Sequence, residues 1–402
     1  MSTAAALGVD PERLLSWPFV LVLCVQFCFG LSYSTFFLLP KFLARQFNAN
    51  ADAIGAVAAT ALLASVLASP WTGAWLDRGS RRPFIVSGAL VNGLICCAFS
   101  LIHAVSWPIF ALRVVYGVSY ALVFNGIVTL AADLAPPKKL GQAIGLCGAA
   151  SIVSNAVAPA LAEPLADSHG WGLVFVCAGG AALFTALLSL GIRESKPAAL
   201  LVSQAEVVAS PSALALLREP KRFGAFVCSA ANGAAFGAMF TFTQPFALSQ
   251  GANQVSGLFL GYTLVALTVR LFLGNWADTW GRRRVAVTAL VLYGIVASLT
   301  SLLRPNLLFA IGAGLGLAHG LLYPSINALA ADGVPRARRG AVMSYFFGCF
   351  GAGSAVWVLG MGLVAKAYGY PSVFLATGVL TWAAIAFLPK KAAIAVLPGK
   401  TL

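Results

Sequence analysis

Gly73-Ala-Trp-Leu-Asp77-Arg78-Gly-Ser-Arg81-Arg82 has an echo about 200 residues later, Gly274-Asn-Trp-Ala-Asp278-Thr-Trp-Gly281-Arg282-Arg283-Arg284. Each copy closes one long apolar run and opens the next. A second pair of loops repeats at nearly the same spacing. Leu130-Ala-Ala-Asp133-Leu-Ala-Pro136-Pro-Lys-Lys139-Leu-Gly141 matches Leu329-Ala-Ala-Asp332-Gly-Val-Pro335-Arg-Ala-Arg338-Arg-Gly340. Two independent loops that recur at one offset mark the chain as a tandem of similar halves.

The apolar runs between these loops set the class. Hydrophobic residues make up 60% of the chain and charged residues 9%, where a soluble domain carries about 25% charged residues. Runs of about 20 apolar residues suffice to cross a bilayer. Spans are expected near 16–39, 53–75, 84–103, 108–132, 140–162 and 171–192, then near 222–247, 255–276, 285–303, 306–331, 339–365 and 371–389. This is an all-α membrane protein of twelve transmembrane helices in two six-helix pseudo-repeats. The polar stretch 193–220 reads as the linker between bundles at 1–192 and 221–402, the second ending in a short tail.

Net charge +14 does not point to nucleic acid, because the basic residues are segregated. Arg13, the 78–82 loop, Lys138 and Lys139, the 193–222 segment, the 282–284 and 336–339 loops and the C-terminal lysines fall on one side. Lys41, Arg45, Arg304 and Lys366 fall on the other, while Arg113 and Arg270 lie inside spans. That asymmetry follows the positive-inside rule, so both termini and the linker are expected in the cytoplasm. The first sixteen residues are too polar for a cleaved signal peptide, which makes the first run a spanning helix. All eight cysteines lie in apolar runs, so neither disulfides nor a metal site is expected, Cys24 and Cys28 included.

The paired charged loops resemble the signature loop of the major facilitator superfamily, G-x-x-x-D-R-x-G-R-R, which follows the second and eighth helices. The copies depart from it at Ser80 and Thr279. The resemblance covers roughly residues 16–391 and is nearest to the bacterial drug-proton antiporter and sugar-efflux group. It implies a cytoplasmic gate built from Gly73, Asp77, Arg78, Arg81, Arg82, Asp133, Gly274, Asp278, Arg282, Arg283 and Asp332. In it Asp77 would face the N-terminus of helix eleven and Asp278 that of helix five. An acid against a helix N-terminus is stabilised by about 0.3–1 kcal/mol. The alternative is that these charges only fix topology.

Arg113-Val-Val-Tyr116-Gly117 resembles the family's fourth-helix motif R-x-x-Q-G, which implies proton coupling; snorkelling to the interface is the competing reading. Arg270, four residues before Gly274, corresponds to an arginine that binds substrate anions in carboxylate carriers and pairs with the loop acid in others. Helix five resembles the exporters' fifth-helix motif, which ends in G-P-x-x-G-G, at Gly145 and Pro159, while Ser154, Ala158, Ala162 and Glu163 stand in place of its other glycines. Among the acids only Glu163 could lie within a span, at the outer end of helix five. Without a deep carboxylate, the two intramembrane arginines tilt the cavity positive.

Helical spacing proposes the cavity wall. Helix one offers Gln26, Gly30 and Tyr33; helix four Arg113, Gly117, Tyr120 and Phe124; helix five Asn155; helix seven Asn232, Phe236, Thr243 and Gln244; helix eight Arg270. His319, Tyr323 and Asn327 of helix ten stand at four-residue steps, and His319 suits proton chemistry near neutral pH. Each of these also fits the role of interhelical hydrogen-bond glue.

The resemblance implies a secondary transporter, not an enzyme, that moves a small organic solute by alternating access with proton-coupled efflux. The alternative is an organic-anion importer or exchanger using Arg270. A receptor of transporter shape is a third reading, against which stands the lack of an appended signalling domain. No cofactor is expected, the proton gradient being the energy source. The partners are solute, protons and lipid, and the protein is expected as a monomer in a bacterial inner membrane.

Overall fold

The structure, a computed structural model, describes residues 14–77, 80–136, 139–192, 219–273, 276–334 and 336–388. Arg78, Gly274, linker residues 193–218, the tail from 389, and the side chains of Asp77 and Asp278 lie outside the described residues. All elements described are helical. The first span, α1, runs Trp17–Phe47 and is interrupted by a 3-10 turn at Phe36–Leu38. Then follow α2 Ala51–Asp77, α3 Arg82–Ala98, α4 Trp107–Leu134, α5 Leu140–His169 and α6 Trp171–Leu190. The second half has α7 Pro220–Ser249, α8 Ser256–Phe272, α9 Arg282–Thr300, α10 Leu308–Ala331, α11 Arg336–Tyr368 and α12 Tyr370–Ala384.

Helix packing repeats as the sequence does. The pairs α1–α5, α1–α6, α2–α4, α3–α4 and α3–α6 recur as α7–α11, α7–α12, α8–α10, α9–α10 and α9–α12. Across the halves α2 packs on α11 and α5 on α8. Lipid cannot satisfy backbone polar groups, so each span closes its own hydrogen bonds. The outer faces of α3, α6, α9 and α12 expose Leu90, Leu94, Leu183, Leu187, Val291, Ile295, Leu375 and Val379. Such faces suit acyl chains and would be unstable in water. Between helices, polar side chains act as glue. Asn92 of α3 receives a hydrogen bond from Ser32 at 3.5 Å and donates one to Ser119 at 3.1 Å.

Several helix ends differ from expectation. α1 continues to Phe47, beyond the expected stop at 39. Lys41, expected beyond the first span on the outer side, is 2% exposed, and Asn48 stops the helix in the left-handed region at φ 48°. α5 and α11 likewise run past 162 and 365, each to a glycine that turns the chain directly into the next helix. α8 stops at Phe272, and a π turn at Ala277–Gly281 leads into α9.

Candidate functional site: cavity wall and two ends

An aromatic wall runs from one half into the other. In the first half Tyr33 meets Tyr120 edge-on with ring centroids 5.4 Å apart, and Tyr120 stacks on Phe124 at 5.4 Å. Phe37, at the 3-10 break of α1, crosses over: its ring stacks on Phe259 at 6.0 Å and leans on Phe240 at 5.4 Å. From there the rings continue through Phe236 to His319 at 5.1 Å, and from His319 to Tyr323 at 5.5 Å. Tyr262 and Phe350 flank His319 at 6.0 and 6.2 Å. Offset and edge-on ring pairs are worth about 0.5–1.5 kcal/mol each beyond area burial, so the wall has a defined shape.

Polar groups are set into this wall. Gln26 donates to Ser151 Oγ at 2.6 Å and Tyr33 OH to the Ser151 carbonyl at 3.5 Å. Ser34 donates to Asn155 Oδ1 at 2.8 Å. In the second half Asn232 Oδ1 lies 3.1 Å from His319 Nδ1. Gln244 turns to the interface and donates to the Phe37 carbonyl at 2.7 Å. Asn327 sits half-buried one turn beyond Tyr323. Among the described residues Gln26 Oε1, Asn232 Nδ2, Thr243 Oγ1 and Gln244 Oε1 are buried without a hydrogen-bond partner. A buried polar atom left unpaired costs about 1–3 kcal/mol, so a ligand that pairs with these atoms recovers part of that cost.

The two membrane arginines have different surroundings. Arg113 is buried between α1, α2 and α4, its guanidinium over the rings of Tyr116 at 4.9 Å and Phe36 at 5.7 Å. Its Nε donates to the Val57 carbonyl at 3.3 Å. It neither snorkels nor joins the aromatic wall. Arg270, in the last turn of α8, is half-buried and reaches across to α5. A Cβ on Gly148 would stand 3.1 Å from Arg270 Nη1. Among the described residues no acceptor pairs with this guanidinium, and its Nε is buried.

At the basic end the charged loops tie helices together within each half. Arg81 pairs with Asp133 at 3.2 Å, and its repeat partner Arg282 with Asp332 at 3.4 Å. Arg222 adds a bond to the Asp332 carbonyl at 3.0 Å. Arg82 and Arg283 follow at the starts of α3 and α9, and a Cβ on Gly73 would meet open space.

The opposite end holds what the sequence reading missed. Glu163 and Lys41 form a buried ion pair at 2.6 Å, joined to residues 253–256 of the second half. Lys366 pairs with Asp52 across α11 and α2 at 2.7 Å. Beside it the helices nearly touch: a Cβ on Gly55 would lie 2.8 Å from the Val358 carbonyl oxygen. The available signal was two opposite charges, Lys41 and Glu163, each within two residues of the outer end of an expected span.

The sequence profile of the Major Facilitator Superfamily matches residues 22–262 and 223–399. The chain belongs to that superfamily. It is accordingly a multi-pass membrane transporter, in a family of carriers and not of enzymes. It is similar to the multidrug resistance protein MdtG of Enterobacter lignolyticus, 25% identical over 336 residues, covering 81% of this chain and 79% of the relative. MdtG of Escherichia coli O17:K52:H18 is 25% identical over 342 residues, with 82% of each covered. The nucleoside transporter NupG shares the fold with a TM-score of 0.76 at 15% identity, over 92% of this chain and 100% of the other. A bacterial homologue of the human lysosomal transporter Spinster, solved inward-facing and unoccupied, gives 0.72 at 16% identity, over 94% and 95%. In this major facilitator chain the halves meet chiefly through α2 on α11 and α5 on α8, with α7 also touching α1 and α2.

Proposed function

We propose that this transporter extrudes a small, partly aromatic organic solute by alternating access, driven by the proton gradient. The aromatic wall that passes from Tyr33 and Tyr120 through Phe37 to Phe236, His319 and Tyr323 carries the reading. It draws on both halves, so a bound solute touches both, and rocking of the bundles at 1–192 and 221–402 changes which side can reach it. The basic loops face the cytoplasm, with both termini, in a bacterial inner membrane. The MdtG relatives, named for multidrug resistance, support export. His319, bonded to Asn232, is the coupling group, and Asp77 and Asp278 latch the cytoplasmic end. The protein works as a monomer without cofactor.

The test is proton-driven extrusion from proteoliposomes loaded with solutes that stabilise the purified protein. No movement under an imposed pH gradient, with solute binding intact, rejects coupled transport.

A second reading is an organic-anion carrier centred on Arg270, favoured by a guanidinium with no acceptor among the described residues. Thermal-shift panels of carboxylates, sugars and lipophilic cations separate the two. A ligand at 100 times its dissociation constant stabilises by about 2.7 kcal/mol. Stabilisation by a carboxylate that disappears in Arg270→Ala supports the anion carrier; stabilisation by lipophilic compounds in both proteins supports the exporter.

A further inference from the structure

At the end opposite the basic loops, one carboxylate serves both halves. Glu163 of α5 is 0% exposed. Its Oε1 accepts Lys41 Nζ at 2.6 Å and the Val255 amide at 2.7 Å, and its Oε2 accepts the Ser256 amide at 2.7 Å. Lys41 Nζ also donates to the Asn253 carbonyl at 2.9 Å, and Arg45 Nη2 to the Ala252 carbonyl at 3.0 Å. α8 begins at Ser256, with Val255 at its N-cap and no side-chain cap of its own. A helix start leaves amides unpaired and carries partial positive charge. Glu163 supplies the missing cap from the other half of the molecule.

We propose that Glu163, held by Lys41, is the bolt of the outer gate: it fastens the N-terminus of α8 to the first half, and its release accompanies each outward opening. This rests on the alternating-access reading above. Outward opening must part α8 from α5, which removes both amides from Glu163 and the Asn253 carbonyl from Lys41. The two charges, however, stay together, because α1 and α5 belong to the same half. Neither ion is stranded as water enters, so the bolt can open and close repeatedly. Among the described residues the other ion pair across the halves, Asp52 with Lys366, is 26% and 55% exposed; ion pairs in contact with water contribute little. Deleting one partner of a buried pair is far more disruptive. The competing role for Glu163 is local: it would only neutralise Lys41 inside the first half.

Spin labels on Gln46→Cys and Gln250→Cys, exposed sites on opposite halves at this end, report the opening by pulsed electron resonance. The full chain is measured in lipid nanodiscs, with its eight cysteines replaced. The wild-type lock is expected to give a dominant short distance and a minor long one. Glu163→Gln should raise the long-to-short ratio at least about tenfold. In a Lys41→Met background Glu163→Gln should raise it again, because the cap on α8 is lost whether or not Lys41 needs a counter-charge. No further change in that background assigns Glu163 the local role and overturns the proposal. Glu163→Asp keeps the charge beside Lys41 but falls short of the two amides, so it should also favour the long distance; it serves if the Gln variant does not fold. An unchanged ratio in Glu163→Asp would equally overturn the bolt. If no long distance appears in the wild type or any variant, alternating access itself fails, and the bolt with it.

Discussion

Gly170 and Gly369 adopt one backbone conformation, φ 83° and ψ 165° in the first and φ 81° and ψ 165° in the second. Each amide closes the preceding helix, on Ala166 and Ala365, at 2.9 Å. The turn between α5 and α6 is thus reproduced between α11 and α12. That region of the backbone map is open almost only to glycine, and a side chain there costs about 1–3 kcal/mol. Nothing lies near a Cβ at Gly170, so Gly170→Ala isolates the backbone cost. It is expected to lower stability in detergent unfolding by that amount, with transport unaltered in rate per folded molecule.

The repeated ion pairs of the basic end are not equal. Arg81 is 4% exposed and Asp133 31%, while Arg282 is 36% and Asp332 61% exposed. Asp133→Asn is therefore expected to cost about 1–3 kcal/mol, by removing the carboxylate that pairs with a buried guanidinium. Asp332→Asn should stay within about 1 kcal/mol. Equal losses in urea or thermal unfolding would contradict the asymmetry.

Binding should depend on rings from both halves. Tyr120→Ala and Tyr323→Ala each remove aromatic contacts worth about 0.5–1.5 kcal/mol, which translates into about 2- to 10-fold weaker solute binding. Isothermal titration with a stabilising ligand measures it. A loss confined to one variant would place the solute in one half.

His319→Gln keeps a polar partner for Asn232 but cannot carry a proton. Proton-driven extrusion should be lost while solute binding and solute–solute exchange survive. Retained uphill transport would remove His319 from the coupling role.

The number and order of the spans are legible in the sequence, because each is an apolar run; among the described residues eleven helices are long enough to cross a bilayer and α8, Ser256–Phe272, is the shorter one. The length of α1 and α5 is not legible there. Lys41 and Arg45 fall beyond the expected first span and Glu163 at the outer end of helix five, while their partners are distant in the chain: Glu163 lies 122 residues from Lys41, and Val255 and Ser256 lie 92 and 93 residues from Glu163. The His319–Tyr323–Asn327 stripe follows from four-residue steps. Its bond to Asn232 does not, since no local pattern records which of two helices will face each other. Arg113 shows the same limit: one helix position fits the cavity, the interface or the bundle interior, and only the rings of Phe36 and Tyr116 decide.

The Arg270 guanidinium, which meets no acceptor among the described residues, has an electrical consequence. A charge that rides on a rocking half moves through the field across the membrane, and a full crossing is worth about 2.3 kcal/mol per 100 mV. On the anion-carrier reading, the empty carrier senses the resting voltage through Arg270, and an anionic cargo that neutralises Arg270 removes that contribution. On that reading membrane potential would act more strongly on the unloaded return step than on the loaded one.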